Sequence, residues 1–233
     1  MILHYSYGME KLPTYGTSLH YAGELGEQYL DWQDKLGVIG GVIDSRKFSE
    51  YDFSDSVVLD FGCGAGNLLH NLNCKLKIGV EVNIAAHPKI IAKGIQVSST
   101  LEEIDSDSVD IVISHHSMEH VPFPILALRE IRRVLRASGS LILWVPIDDW
   151  RTQRKYDPDD INHHLNTWTP QLLGNSLREA NFEVDPEAIR VVSHAWFPGY
   201  EKFYTYPGFN LGCKVYSFLR HRKQICAVVK PKN

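Results

Sequence analysis

The sequence predicts an α/β fold built on a doubly wound, mostly parallel sheet with helices on both faces. Two observations carry that expectation. Short apolar runs alternate with helical patterns, through short connections, from residue 56 to 146, which is the signature of βαβ units. The first of these runs, VVLDFGCGAG from Val57 to Gly66, lacks polar alternation, ends in an acid and breaks into a loop with glycine at every second position. A strand without alternation is covered on both sides. Glycines there let the backbone turn sharply and approach a ligand more closely than any side chain permits.

Composition limits what the chain does. At 233 residues it suits one α/β domain with decoration, and its core needs no staples. The formal net charge of −4 shows no basic excess, so no nucleic-acid partner is expected. The four cysteines, Cys63, Cys74, Cys213 and Cys226, have no CxxC spacing. That argues against zinc and against a disulfide framework, and for reduced thiols in a cytoplasmic protein. The first residues lack a basic segment followed by an apolar one, and no window approaches about 18 uninterrupted apolar residues, so no transmembrane segment is expected.

Residues 1–17 read as an extended lead-in. From Ser18, a possible N-cap, apolar positions at Leu19, Ala22, Leu25, Tyr29 and Leu30 approach helical spacing. The glycines from Gly37 to Gly41 are expected to end that helix. After the glycine loop, Asn67 to Leu72 begins a second helix, and Leu76 to Val82 forms a second buried strand carrying Glu81. A short third strand spans Gly94 to Ser99, and a fourth Val109 to Ser114. PFPILALREIRRVLRASG then places Ile125, Leu128, Ile131, Val134 and Leu135 on one helical face with arginines opposite and Gly139 as its stop. Ser140 to Pro146 is the fifth strand. A long polar loop follows; loops of that length are commonly functional. Thr169 and Pro170 cap the next helix. FEVDPEAIRVVSHAWF reads as strand, loop and strand continuation, and Gln224 to Lys230 as the closing strand.

A glycine loop after the first strand and an acid, Glu81, at the end of the second match a nucleotide site whose acid accepts hydrogen bonds from ribose hydroxyls. A dinucleotide loop would read GxGxxG. Here Gly66 comes one residue too early and Asn67 holds the dinucleotide position. Asp60, two residues before Gly62, would repel a pyrophosphate and suits a ligand carrying an ammonium or sulfonium charge.

DFGCGAG, followed by GVEV, SVDIVISHHSMEHV and a glycine before the fifth strand, resembles the class I S-adenosylmethionine-dependent methyltransferases. The branch is the small-molecule one of ubiquinone-biosynthesis-like, type 11 enzymes, and the likeness covers about residues 50 to 190. It implies a Rossmann-like sheet of seven strands whose last strand is antiparallel, and S-adenosylmethionine as cofactor. By the same likeness Gly62, Gly64 and Gly66 pack against the methionine part, Asp60 supports its amino group and Glu81 holds the ribose, with Cys63 and Val82 as further cofactor-binding residues. Ser99, Thr100 and Leu101 flank adenine, although this chain lacks the acid that many relatives carry near Ser99. His115, at the end of the fourth strand, falls at the switch point of such a sheet and lines the cofactor. His116, Ser117, Glu119 and His120 read as the cap and start of the following helix. The resemblance also offers Glu119 and His120 as a divalent-metal pair, but two ligands without a third do not make a site, and no metal is assigned.

The implied reaction is methyl transfer to a small molecule, aromatic or lipid-like, with oxygen favoured as the acceptor atom. His163 and His164, in the loop after the fifth strand, are the candidate bases. Trp150, Tyr156 and Trp168 are candidates to wall the acceptor, and Tyr21 and Tyr29 to close over the cofactor. Residues 1–50 then form an N-terminal extension and covering helix, and residues 51–233 the transferase domain, with a substrate loop at 147–168 and an insertion at 198–223. Leu211, Val215, Phe218 and Leu219 of that insertion read as a short helix covering the sheet edge, with Arg220, His221, Arg222 and Lys223 complementing its C-terminus. The alternatives are a non-catalytic cofactor-binding partner subunit and a nicotinamide-dependent oxidoreductase, the latter disfavoured by the loop spacing.

Overall fold

The computed structural model describes residues 13–21, 23–148 and 154–232. Period-two alternation builds its sheet. Along β1 (Val57–Phe61), Leu59 and Phe61 enter one core and Val58 the other. Along β5 (Leu135–Ile147), Leu141, Leu143 and Val145 oppose Ile142 and Trp144 in the same way. Both faces are therefore apolar, as a sheet sandwiched between helices requires.

The remaining strands are β2 (Leu76–Val80), β3 (Gln96–Ser98), β4 (Val109–His115), β6 (Phe182–Glu183), β7 (Ile189–Ser193) and β8 (Lys223–Pro231). Their order is β3-β2-β1-β4-β5-β8-β6, and β7 also pairs with β8. β1 to β5 are parallel, and β8 runs antiparallel to β5, β6 and β7. The expected seven-strand layout thus holds with its sixth position split in two. Phe182 faces Pro231 and Ile189 faces Ala227 on one edge of β8, separated by a turn that starts at Pro186. Proline lacks the N–H that an uninterrupted strand would donate. β1 lies between β2 and β4, so the order reverses beside it and a crevice opens at the carboxyl ends.

Helices α4 (Pro124–Val134) and α5 (Pro170–Glu179) cover one face through Leu128, Ile131, Leu173 and Leu177. On the other face lie α1 (Gly23–Ser45), α2 (Asn67–His70) and α3 (His87–Ile91), which contribute Leu30, Leu69 and Ile90. A last helix, α6 (Phe209–Leu219), packs Phe209 and Cys213 with Ile43 and Tyr200 in a small separate cluster. No helix among the described residues is long and apolar enough to cross a membrane.

Three expectations need correction. α1 does not stop at its glycines but runs through them to Ser45. A Cβ on Gly41 would lie 2.6 Å from the backbone carbonyl carbon of Asn67, and one on Gly37 the same distance from the Asn67 side-chain nitrogen. These glycines let α1 lie against the start of α2. Gly139 does not end α4 either. The helix stops at Val134, and Gly139 sits inside β5, where a Cβ would meet the Asp110 carbonyl oxygen at 2.8 Å. In α6 the buried stripe is Phe209, Cys213 and Ser217, whereas Leu211, Val215, Phe218 and Leu219 face solvent.

Candidate active site

The loop after β1 owes its shape to backbone conformations that favour glycine. Gly62, Gly64 and Gly66 have φ of 74°, 54° and 75°. At Gly62 a Cβ would lie 2.3 Å from that of Ser117, so the loop sits directly against the end of β4. The N–H groups of Gly62 and Cys63 both reach the Val80 carbonyl, at 2.8 and 3.2 Å. Glu81, just past β2, holds the loop from the other side. Its Oε2 accepts from the Gly64 N–H at 2.8 Å and its Oε1 from the Asn83 N–H at 2.9 Å. Burial pushes the Glu81 carboxyl up and those two N–H groups pull it back. Val82 lies beside it, lining a cavity of about 90 Å³ with Gly64, Tyr15 and Tyr21.

Asp60 forms part of the wall of a larger cavity of about 630 Å³ at the mouth of the crevice. It is 2 % exposed. Burial, aided by Glu81, raises its pKa to about 8, and its carboxylate has no hydrogen-bond or ion-pair partner among the described residues. An unpaired buried carboxyl is costly unless a ligand supplies the cation. An α-ammonium group beside Asp60 and ribose hydroxyls beside Glu81 fit this arrangement, so the residues present suit S-adenosylmethionine. Cys63 lines the same cavity, its thiol pushed up by burial.

The residues expected to flank adenine are engaged within the chain. The Leu101 N–H donates to Tyr15 Oη at 3.1 Å, and Tyr15 Oη donates to Thr100 Oγ1 at 3.2 Å. The Ser99 N–H goes to Glu103. Tyr15, from the segment before α1, therefore occupies the polar groups of Thr100 and Leu101, and none of Ser99, Thr100 and Leu101 lines either cavity.

His115 does reach the large cavity. Its Nε2 accepts from Lys47 Nζ at 2.6 Å, and its ring stacks on His116 at 4.4 Å. Burial and then Lys47 hold it well below the usual imidazole range. The next residues do not start a long helix. Met118–His120 form one 3-10 turn, and Ser117 Oγ donates to the Phe61 carbonyl at 2.8 Å.

Glu119 is 1 % exposed, and its Oε2 has no hydrogen-bond partner. Its backbone carbonyl accepts from the N–H groups of Leu165 and Asn166, at 2.9 and 3.0 Å. Those bonds tether the long loop and bring in His164. Glu119, His120 and His164 each offer a ligand atom within 4.8 Å of the others. The third neighbour missing from the Glu119–His120 pair is thus present.

The two candidate bases part company. His163, at φ 49°, turns outward and stacks on His20 at 4.5 Å, away from the cavity. His164 faces the cavity, and its Nδ1–H donates to Asp148 Oδ2 at 3.0 Å, so that in the neutral ring Nε2 is the nitrogen without a proton. Burial works against its charged form, but the bond to Asp148 and the nearby Glu119 raise its pKa overall. Asp148 escaped the sequence reading, although its place directly after β5 marks it as a crevice residue. Of the aromatic candidates, Trp150 lies outside the described residues, Tyr156 is 91 % exposed and Trp168 is buried in the core. Tyr29 does line both cavities, and Tyr21 donates to the Asn162 carbonyl while its Oη accepts from His120 Nδ1 at 2.6 Å.

Solved structures share this architecture at low identity. The partner of the Trm112 methyltransferase activator in a complex from Haloferax volcanii is 15 % identical with a TM-score of 0.62, covering 89 % of this chain and 96 % of that one. An S-adenosylmethionine-dependent methyltransferase of Thermotoga maritima is 19 % identical with a TM-score of 0.61, over the same shares of the two chains. One from Archaeoglobus fulgidus is 16 % identical with a TM-score of 0.61, over 87 % and 99 %. A comparison with curated protein sequences finds no match. The family model described as a methyltransferase domain matches residues 42–187, more than half of the chain. The chain therefore belongs to the methyltransferase-domain family, as a class I S-adenosylmethionine-dependent enzyme.

Proposed function

We propose that this enzyme methylates an oxygen of a small molecule bound in the 630 Å³ cavity, with His164 taking the acceptor's proton. The Asp148–His164 pair carries this reading, because it faces the same cavity as Asp60 and Gly62. A hydroxyl acceptor keeps its proton at neutral pH, so its attack on a methyl group calls for a base. An imidazole whose Nδ1–H is held by a carboxylate presents its bare Nε2 in a fixed direction.

Bound S-adenosylmethionine supplies an electrophilic methyl group. The chain's own residues do the rest. Asp60 receives the ammonium group, and Glu81 accepts from the ribose while keeping the glycine loop in shape. Tyr29 and the end of β4 exclude water from the line of transfer. Alignment of this kind is worth up to about 7–11 kcal/mol of the barrier. In this reading the domain of residues 51–233 carries the chemistry, its 147–168 loop delivers Asp148 and His164, and α1 covers the cofactor.

The test is incubation of the full chain with S-adenosylmethionine and a panel of hydroxylated metabolites, with S-adenosylhomocysteine as readout. Product that His164→Ala fails to form, on an oxygen shown by mass spectrometry, supports the reading. Methylation on nitrogen, or undiminished turnover by His164→Ala, removes it. Cofactor binding without turnover on any acceptor favours a non-catalytic subunit.

A further inference from the structure

The large cavity has a second end that the transfer chemistry leaves unused, built from the end of α1, the chain after β7 and the α6–β8 connection. Its side chains are cationic. Arg220, Arg222 and Lys223 line it, and none of the three has a carboxylate partner among the described residues. The Arg222 guanidinium lies over the Trp196 ring, 4.1 Å from its centroid. That stacking fixes its plane and leaves its fork of N–H donors pointing along one face. Lys47, with a side chain only 7 % exposed, lies behind His115 and adds a further positive charge, partly balanced by Asp44 at 2.9 Å.

His194 lies between these groups. It is 8 % exposed, packs edge-on against both His116 and Trp196, and its buried Nδ1 has no hydrogen-bond partner. Its backbone N–H is already bonded to Ser217 Oγ and the Arg222 carbonyl, so the ring is held firmly while that nitrogen stays unmatched. A stacked guanidinium without an acid is completed by an anionic oxygen, and so is a buried ring nitrogen in the tautomer that carries its proton there. The sequence reading gave Arg220 to Lys223 to the C-terminus of a helix. The chain instead turns at His221, at φ 53°, and carries Arg222 and Lys223 to the cavity wall.

We infer that this end of the cavity binds an anionic group, a carboxylate or a phosphate, so that the methyl acceptor is an acid as well as an alcohol. The inference rests on the proposed function only in taking the occupant to be the acceptor. Arg222 forms the bidentate contact, the unpartnered nitrogen of His194 meets a further oxygen, and Lys223 adds charge. Because Ile147 pairs with Lys223, Asp148 begins the acceptor loop beside this end. A compact hydroxy acid therefore reaches both the cationic end and the Asp148–His164 pair.

The experiment is calorimetric titration of the full chain, with and without saturating S-adenosylhomocysteine, using benzoate, phenyl phosphate and neutral benzamide at fixed ionic strength. At least one anion is expected to bind tenfold or more tightly than benzamide, and the preferred anion distinguishes carboxylate from phosphate. Arg222→Gln is expected to abolish that preference and Arg222→Lys to keep part of it, with S-adenosylhomocysteine affinity unchanged in both. Should Arg222→Gln unfold, Lys223→Gln is expected to weaken the anion threefold or more. Anions that bind no better than benzamide, or no binding by any of the three, overturn the inference, as does an anion preference that survives these substitutions. Failure of S-adenosylhomocysteine to bind would count against the cofactor site instead.

Discussion

The Glu81 carboxylate accepts the Gly64 N–H at 2.8 Å, which ties the end of the second strand to the middle of the glycine loop. One side chain thereby shapes the loop and, in the proposed function, also accepts from the ribose. Glu81→Ala removes two charge-assisted hydrogen bonds, each worth about 1.5–3 kcal/mol. The hydrogen bond to the ribose would be lost as well, at about 1.5 kcal/mol or more, so S-adenosylhomocysteine affinity is expected to fall by about tenfold or more. Calorimetry on the variant checks this, and an unchanged Kd would show that Glu81 serves the loop alone.

Asp60 gives the free protein a pH dependence of definite sign. Its folded pKa of about 8 lies above the ordinary 3.8, so the folded chain holds a proton that the unfolded chain has released. Its contribution to stability is therefore best below about pH 4 and declines as pH rises through 8. Urea melts at pH 5, 6.5 and 8 are expected to show a decline that Asp60→Asn flattens. Binding an ammonium group beside Asp60 is expected to release a proton below pH 8, seen by titration in buffers of different ionisation enthalpy. An Asp60→Asn variant that still releases it would assign the proton elsewhere.

The Asp148–His164 pair predicts a split between binding and turnover. Asp148→Asn and His164→Ala are expected to lower kcat by about 100-fold, the lower bound of general-base catalysis, with little change in cofactor affinity. Near-normal kcat in Asp148→Asn would mean that His164 is oriented by its neighbours without the carboxylate.

The spacing of Glu119, His120 and His164 within 4.8 Å makes the site vulnerable to zinc. A bound ion would draw His164 into coordination and away from the acceptor's proton. Micromolar zinc is expected to reduce turnover at least tenfold, with recovery on adding a chelator. Stimulation by zinc would instead assign the cluster to a metal.

Two neighbouring glycines of α1 are expected to behave oppositely. At Gly41 a Cβ meets Asn67 backbone at 2.6 Å, whereas at Gly40 its nearest contact is the Tyr200 hydroxyl at 3.8 Å. Gly41→Ala is expected to cost about 1–3 kcal/mol through overpacking. Gly40→Ala is expected to be neutral or to gain up to about 1 kcal/mol of helix propensity. Thermal melts compare them, and equal Tm values would show that α1 shifts freely on α2.

The parallel strands, the glycine loop and the place of both acids at strand ends were legible in the sequence because each depends on local pattern: short apolar runs between helical patterns, and glycines and a carboxylate where such a run stops. What was not legible depends on contacts far along the chain. Gly37 and Gly41 look like helix breakers until Asn67 lies against them. Thr100 and Leu101 look available until Tyr15 takes their polar groups. His163 and His164 are adjacent in an irregular loop with no periodicity to orient them, and contacts from distant residues, the Glu119 carbonyl with Leu165 and Asn166, Asp148 with His164 and His20 with His163, decide which one faces the cavity.

The packing of α1 also bears on the order of assembly. Ile43 lies in a cluster with Tyr200, Phe209 and Cys213, and Lys47 contacts Gln224. Part of what the last turn of α1 packs against thus lies far away along the chain. Contacts between such distant residues form slowly. The end of α1 is therefore expected to lock onto the rest of the fold late, after the sheet has formed.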